Sequence, residues 1–229
     1  MKKILIITGG RVSGSFVKSV VSDYKPDAVI AADRGIEAAR EALLIPDYIV
    51  GDFDSAGRDV LEYFKTCFAK YGKPVIRTFN SEKDETDTEL ALSTALTLEP
   101  DKVVLLGATG TRLDHTMANI SLLSKLLSNG AKGVILDEYN MISLYDEGFT
   151  LKKMGAFGRY FSLLPFTETV SGLTIKGAKY EIEDYFLAQG SSIGISNEIE
   201  KSGVKISFTE GILMCIQSSD VPFHGVLKI

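Results

Sequence analysis

At 229 residues, 45% of them hydrophobic and six of them proline, the chain can bury a sizeable core as one large domain or two smaller ones. A formal net charge of -5 and a sequence pI near 5.2 leave no basic stripe for a nucleic-acid strand, which excludes a general nucleic-acid binder but not a grip on one small polyphosphate. No stretch reads as a signal peptide or membrane span, and Cys67 and Cys215, without a CxxC partner, read as buried thiols of a reducing compartment, so a cytoplasmic chain with no membrane partner is expected.

In chain order, residues 4–8 (ILIIT) form an apolar strand that runs into Gly9 and Gly10, followed by Phe16, Val17 and Val20 at helical spacing. A second strand at 28–31 leads into AADRGIEAAREALLIP, in which Asp33 stands at the strand end. Ile36, Ala39, Ala42 and Leu43 there line one face of a helix that Pro46 helps to end. The third strand, 48–50, delivers GDFDS at 51–55. Residues 75–78 read as a strand, 90–98 as a helix, 103–106 as a strand, 113–127 as an amphipathic helix closed by Asn129 and Gly130, and 134–136 as a strand. This alternation predicts an α/β domain, a mainly parallel sheet in a three-layer α/β/α arrangement. Ligands of such sheets bind beyond the carboxyl ends of the strands. Asp33, GDFDS, the acidic run that follows and the next glycine-rich turn should therefore converge on one edge.

After about Asn140 the texture changes to short strand-like pieces at 141–145, 160–164, 173–176, 203–208 and 211–216, separated by Gly, Ser and Pro turns. They predict a smaller antiparallel β-sandwich, with domains at 1–139 and 140–229.

Three constellations carry chemistry. In GDFDS, Asp52 and Asp54 lie one residue apart at a strand end, where like charges repel unless a cation or proton separates them. Such oxygens suit Mg²⁺ carried by phosphates, although Asp, Gly and Ser also make a good solvated turn. In NSEKDETDTEL, 80–90, Asp84 and Asp87 share one face of a first helical turn if the helix has begun by Asp84. Ser81 or Asp84 could cap that helix. Macrodipole compensation accounts for one or two acids there, but not for Glu82, Asp84, Glu85, Asp87 and Glu89 together. In LLGATGTRLDHTMANI, 105–120, Gly107 and Gly110 can bare backbone N–H groups to a phosphate with Arg112 as a cationic clamp, while Asp114 could cap the helix. The pattern is neither a Walker A sequence nor GxGxxG. His115 reads equally as structural or functional, and His224 as structural.

GDFDS, then KDETD at 83–87, then GATGTRLDH at 107–115 closely resemble the thiamin pyrophosphokinase family in order, spacing and flanking strands. FSLLPF at 161–166, GLTIKGAKY at 172–180 and GISNE at 194–198 are similar to landmarks of that family's β-sandwich domain. Two positions depart from the family pattern, Arg34 after Asp33 and Thr111 before Arg112, both where backbone should approach nucleotide. The resemblance implies Mg²⁺-dependent transfer of the pyrophosphoryl group of ATP to thiamin, giving thiamin diphosphate and AMP. It implies catalytic and metal roles for Asp52, Asp54 and Asp87, with Asp84 as a further metal ligand. It places Asp33, Asn80, Lys83, Gly107, Thr109, Gly110, Arg112 and Asp114 in the ATP site and Tyr180 and Ser196 against thiamin. It further implies a homodimer with the thiamin site built between subunits. A Mg²⁺-dependent hydrolase of nucleotides or sugar phosphates, using the same acids to activate water, and a non-catalytic nucleotide sensor are the rival readings.

Overall fold

The computed structural model describes residues 1–52, 57–78 and 84–223. The chain divides into two compact units, Met1–Asp137 and Glu138–Ile229.

In the first unit, β1 (Lys3–Ile7), α1 (Gly14–Tyr24), β2 (Ala28–Ala32), α2 (Gly35–Glu41), β3 (Tyr48–Gly51), α3 (Arg58–Tyr71), β4 (Val75–Thr78), α4 (Asp87–Leu96), β5 (Lys102–Leu106), α5 (Leu113–Ser128) and β6 (Lys132–Leu136) alternate along the chain. The strands pair in parallel in the order β6-β5-β1-β2-β3-β4. β1, β2 and β5 are buried after their first residue, because helices cover both faces and leave no solvent side to alternate toward. α1 packs on α2 and α2 on α3, whereas α4 packs on α5 and lies across β1, β2 and β3, giving the expected three layers. The small buried face of α4, with Ala91, Leu92, Thr94 and Ala95, brings it close to the sheet. From β1 the chain walks outward through β2, β3 and β4, then returns to place β5 and β6 on the other side of β1. The reversal opens a crevice at the carboxyl ends of β1 and β5.

Local chemistry explains where several helices begin and end. Ser13 caps α1, its hydroxyl accepting from the Phe16 N–H at 3.3 Å. α2 is shorter than expected, and Leu43 does not line its buried face: it is 84% exposed with φ 58°. The Leu43 N–H donates to the Arg40 carbonyl and the Leu44 N–H to the Ala39 carbonyl, a Schellman ending with leucine where glycine is usual. The helix therefore stops before Pro46 is reached. α3 was not expected; its buried stripe is narrow, Val60, Phe64 and Cys67 on an otherwise charged helix against α2. Among the described residues no helix is long and apolar enough to cross a membrane.

The second unit contains β7 (Asn140–Tyr145), β8 (Phe149–Lys152), β9 (Tyr160–Pro165), β10 (Thr169–Lys176), β11 (Ile182–Ala188), β12 (Asn197–Glu198), β13 (Gly203–Ser207) and β14 (Leu213–Ser218). They form two antiparallel sheets, β12-β9-β14-β7 and β11-β10-β13-β8. Phe161, Leu163, Leu213 and Cys215 from the first share one core with Val170, Leu173, Ile175, Val204 and Ile206 from the second, which makes the unit a sandwich. β14 shows the strict alternation of a one-sided strand. β8, β11 and β12 were not expected. β11 (IEDYFLA) buries only Leu187, so acidic and exposed residues mask its period. Both cysteines are free and buried, and burial pushes the Cys215 thiol up to about 12.

Candidate functional site

Three strand and helix ends build the acidic part of the site. β2 stops at Ala32 and Asp33 turns the chain with φ 46°, a left-handed conformation that Asp tolerates better than most residues. The Asp33 N–H donates to the Val50 carbonyl at 3.0 Å, which ties the turn to the end of β3. Asp52 follows β3 directly. Asp87 is the first residue of α4, and Thr86 caps that helix by accepting from the Glu89 N–H at 3.2 Å. Because α4 runs back across β3, β2 and β1, its first turn lies at the carboxyl edge of the sheet. One carboxylate oxygen from each of Asp33, Asp52 and Asp87 then falls within 4.8 Å of the other two, all three residues half-buried. Gly51, with φ 152°, stands between them. A Cβ at this position would crowd the Asp33 backbone nitrogen at 3.3 Å and touch an Asp87 carboxylate oxygen at an ordinary 3.6 Å, and the positive φ itself favours glycine.

Two expectations about the acidic run are corrected. Asp84 and Asp87 do not share a helical face, because α4 begins only at Asp87; Asp84 is exposed before the helix and stands outside the acidic trio. The cap is Thr86, not Ser81 or Asp84. Asp54, Ser81, Asn80, Glu82, Lys83 and His224 lie outside the described residues.

A cavity of about 740 Å³ at the carboxyl edge is lined by Asp33 and Asp87 on the acidic side and by Gly107, Thr109, Gly110 and Arg112 of the β5–α5 turn. Its volume suits a nucleotide-sized ligand. The close passage of the β1–α1 and β5–α5 loops requires glycine: a Cβ on Gly10 would stand 2.1 Å from the Gly107 carbonyl oxygen. The Thr109 hydroxyl donates to Asp137 at 2.8 Å, fixing that side chain at the end of β6. Arg11 and Arg34 join Arg112 in the lining, and so does His115. Carboxylates able to share a divalent cation, beside arginines and a glycine turn, match what a metal-bound polyphosphate requires.

Arg112 occupies the N-cap of α5 without a side-chain cap bond, and Asp114 does not cap either. The Arg112 guanidinium instead engages Asp114 and holds that carboxyl at about 2. Both groups are well exposed, so water and salt weaken the pair and a phosphate can compete for the guanidinium. Asp114 does not line the cavity.

In the second unit, the buried Asn197 side chain accepts from the Tyr180 N–H at 3.0 Å and donates to the Tyr180 carbonyl at 2.7 Å. That grip fixes the backbone of Tyr180 while 58% of the residue stays exposed. Neighbouring Ser196 adopts φ 56°, its N–H donating to the Ser162 hydroxyl at 3.0 Å. Sequence reasoning missed Thr8, Arg11 and Asn119 as cavity residues. For Arg11 the signal was present, since it follows an apolar strand just as Asp33 does. Asp33, read from the sequence as a nucleotide contact, both lines the cavity and stands among the acids.

Residues 23–135 match the family model described as thiamin pyrophosphokinase, catalytic domain, and residues 148–213 the model described as thiamin pyrophosphokinase, vitamin B1 binding domain. The chain is 34% identical over 225 residues to thiamine pyrophosphokinase of Bacillus subtilis (strain 168), covering 96% of this chain and 100% of that one. It is similar to the crystal structure of thiamine pyrophosphokinase from Bacillus subtilis with a TM-score of 0.83 and 31% identity, over 96% of this chain and 100% of that chain. Against the crystal structure of thiamin pyrophosphokinase from Geobacillus thermodenitrificans the TM-score is 0.80 and the identity 32%, over 98% and 100% of the two chains.

Proposed function

The chain belongs to the thiamin pyrophosphokinase family and is an enzyme of that family, and on this premise we propose how its residues divide the work. The reaction is Mg²⁺-dependent transfer of the pyrophosphoryl group of ATP to the hydroxyl of thiamin. The thiamin hydroxyl oxygen bonds to the β-phosphorus while the bond from that phosphorus to the α,β-bridging oxygen breaks. Thiamin diphosphate forms, AMP leaves with the bridging oxygen, and the hydroxyl proton is released.

The observation that carries the residue assignment is the convergence of Asp33, Asp52 and Asp87 at the edge where the cavity is lined by Asp33, Asp87 and the glycine turn at Gly107. Three carboxylates offering oxygens within 4.8 Å fit a hard divalent cation. Asp52 and Asp87 serve as catalytic and metal-holding groups, Asp33 joins them, and Asp54 is assigned by the family resemblance. Mg²⁺, when bound, neutralises phosphate charge as it redistributes in the transfer. The chain itself orients the polyphosphate through Gly107, Thr109, Gly110 and Arg112, and transfer of this kind demands positioning more than a covalent nucleophile. Asn80 and Lys83 are assigned to the same site by resemblance alone. Tyr180 offers an exposed ring to cover the aromatic part of thiamin, and Ser196 a hydroxyl to bond it. The working form is a homodimer with thiamin held between subunits, and two buried cysteines without a disulfide suit a reducing compartment such as the cytoplasm.

Thiamin, ATP and Mg²⁺ supplied together test the reading. Thiamin diphosphate and AMP should appear in equal amounts, and neither should form when thiamin or Mg²⁺ is withheld. Release of AMP at the same rate without thiamin would put a hydrolase in its place.

A further inference from the structure

The carbonyl oxygens of the β5–α5 turn are engaged one after another. That of Gly107 accepts from the Gly10 N–H at 2.8 Å and the Thr8 hydroxyl at 2.7 Å. The Ala108 carbonyl accepts from Asn119 Nδ2 at 2.8 Å, and the Thr109 carbonyl from the Arg11 N–H at 3.2 Å. In a trans peptide the C=O and the next N–H point in opposite directions. Each tie therefore also fixes an N–H, in turn those of Ala108, Thr109 and Gly110. Among the described residues none of these three N–H groups has a hydrogen-bond partner in the protein, and all three residues line the cavity.

Two of the ties come from side chains that packing alone would not select. Thr8 is 3% exposed directly after the apolar run Ile4 to Ile7 of β1, where valine would fill the same space. Asn119 is 6% exposed on the inner face of α5, beside Ile120, Leu122 and Leu123. Burying an amide or hydroxyl there costs free energy that only a specific hydrogen bond offsets. Both bonds end on the same turn, and the two donors come from two different elements, the end of β1 and α5.

We propose that Thr8 and Asn119 are positioning residues for the polyphosphate of ATP: they hold the carbonyls of residues 107 and 108 back into the protein so that the N–H groups of the turn are preset toward the cavity. The inference rests on the reading of this cavity as the ATP site. Neither side chain touches the reacting atoms; each acts through the backbone.

The test compares Asn119→Leu, Thr8→Val and Thr8→Ser with the parent protein in steady-state kinetics, in ATP binding by calorimetry with Mg²⁺ present, and in thermal unfolding. Asn119→Leu should raise both the KM and the Kd for ATP about tenfold or more, while the KM for thiamin stays within about twofold. Thr8→Val should shift the ATP constants about threefold, since Gly107 keeps its bond from Gly10, and Thr8→Ser should recover most of that loss. ATP constants within about twofold of the parent in folded Asn119→Leu and Thr8→Val would overturn the proposal. So would a parallel rise in the thiamin KM, which marks a general loss of structure. If Asn119→Leu fails to fold, the Thr8 pair decides. A parent protein that neither binds nor turns over ATP removes the reading of the cavity and the proposal with it. A parent that does both while the substitutions change nothing removes the proposal alone.

Discussion

Asp87→Asn isolates the acidic trio. At the 4.8 Å limit of the observed separation, each pair of carboxylates repels by about 0.9 kcal/mol in a water-like dielectric and about 3.5 kcal/mol at an effective dielectric of 20. All three residues are half-buried, which argues for the lower end once solvent screening is counted. Neutralising Asp87 removes two of the three repulsions, about 2 kcal/mol in all, and loses about 0.5 kcal/mol of favourable charge at the first turn of α4. The repulsion relieved exceeds the charge lost at the helix start, so the Tm of the metal-free protein should be held or raised by the substitution. Turnover should fall by about a hundredfold or more, because the missing charge is one the transferring phosphates need balanced through the cation. The third readout is ligand linkage: Mg²⁺ should raise the Tm of the parent protein, and that increment should shrink in Asp87→Asn. Scanning calorimetry with and without Mg²⁺, beside the AMP assay, gives all three. A variant with turnover within about threefold of the parent and an undiminished Mg²⁺ increment would refute the reasoning.

The remaining predictions use other parts of the chain. The Cys215 thiol, raised by burial from 9.0 to about 12, keeps its proton in the folded state while the unfolded chain loses it above its ordinary value. Stability therefore falls as pH rises through that window, by about 1 kcal/mol between pH 9 and 10 from this group. Urea unfolding under reducing conditions should show a shallower alkaline decline in Cys215→Ala, and equal slopes in the two proteins would remove the claim. The proposed dimer with thiamin held between subunits predicts that Asp87→Asn and Ser196→Trp, each inactive alone, recover about a quarter of parental activity when unfolded, mixed and refolded together, because half of such dimers would be mixed and each would have one intact site of two. No recovery, with mixed dimers confirmed by mass, would place each site within a single subunit.

Much of this protein was legible in its sequence because local pattern reports which faces are buried. The apolar runs of β1, β2 and β5 announced strands covered on both sides, and helical spacing between them announced a parallel sheet. Chemistry-bearing residues placed just after those strands then had to gather at one edge, and Asp33, Asp87 and Gly107 do. The family resemblance rested on the same motifs and holds over both units. Where the local signal was weak the reading failed: α3 carries too thin an apolar stripe, β11 too many acids, and Leu43 ends its helix in a conformation that nothing about leucine foretells.

What the tertiary structure alone decided is adjacency. A strand's side chains show that it is covered but not which strand lies beside it, so the reversal that seats β1 between β2 and β5 could not be read from the order of elements. That reversal opens the crevice, and the return of α4 across β3, β2 and β1 carries Asp87 to Asp33 and Asp52 from distant points of the chain. The cap at Thr86 starts the helix one turn later than Asp84, which is why Asp87 joins the trio and Asp84 does not. Asn119 likewise carries no local signal of the packing that turns it inward onto the Ala108 carbonyl. Burial is written locally, in the period of the apolar residues, whereas the partner of a buried polar group is set by elements that meet only when the sheet assembles.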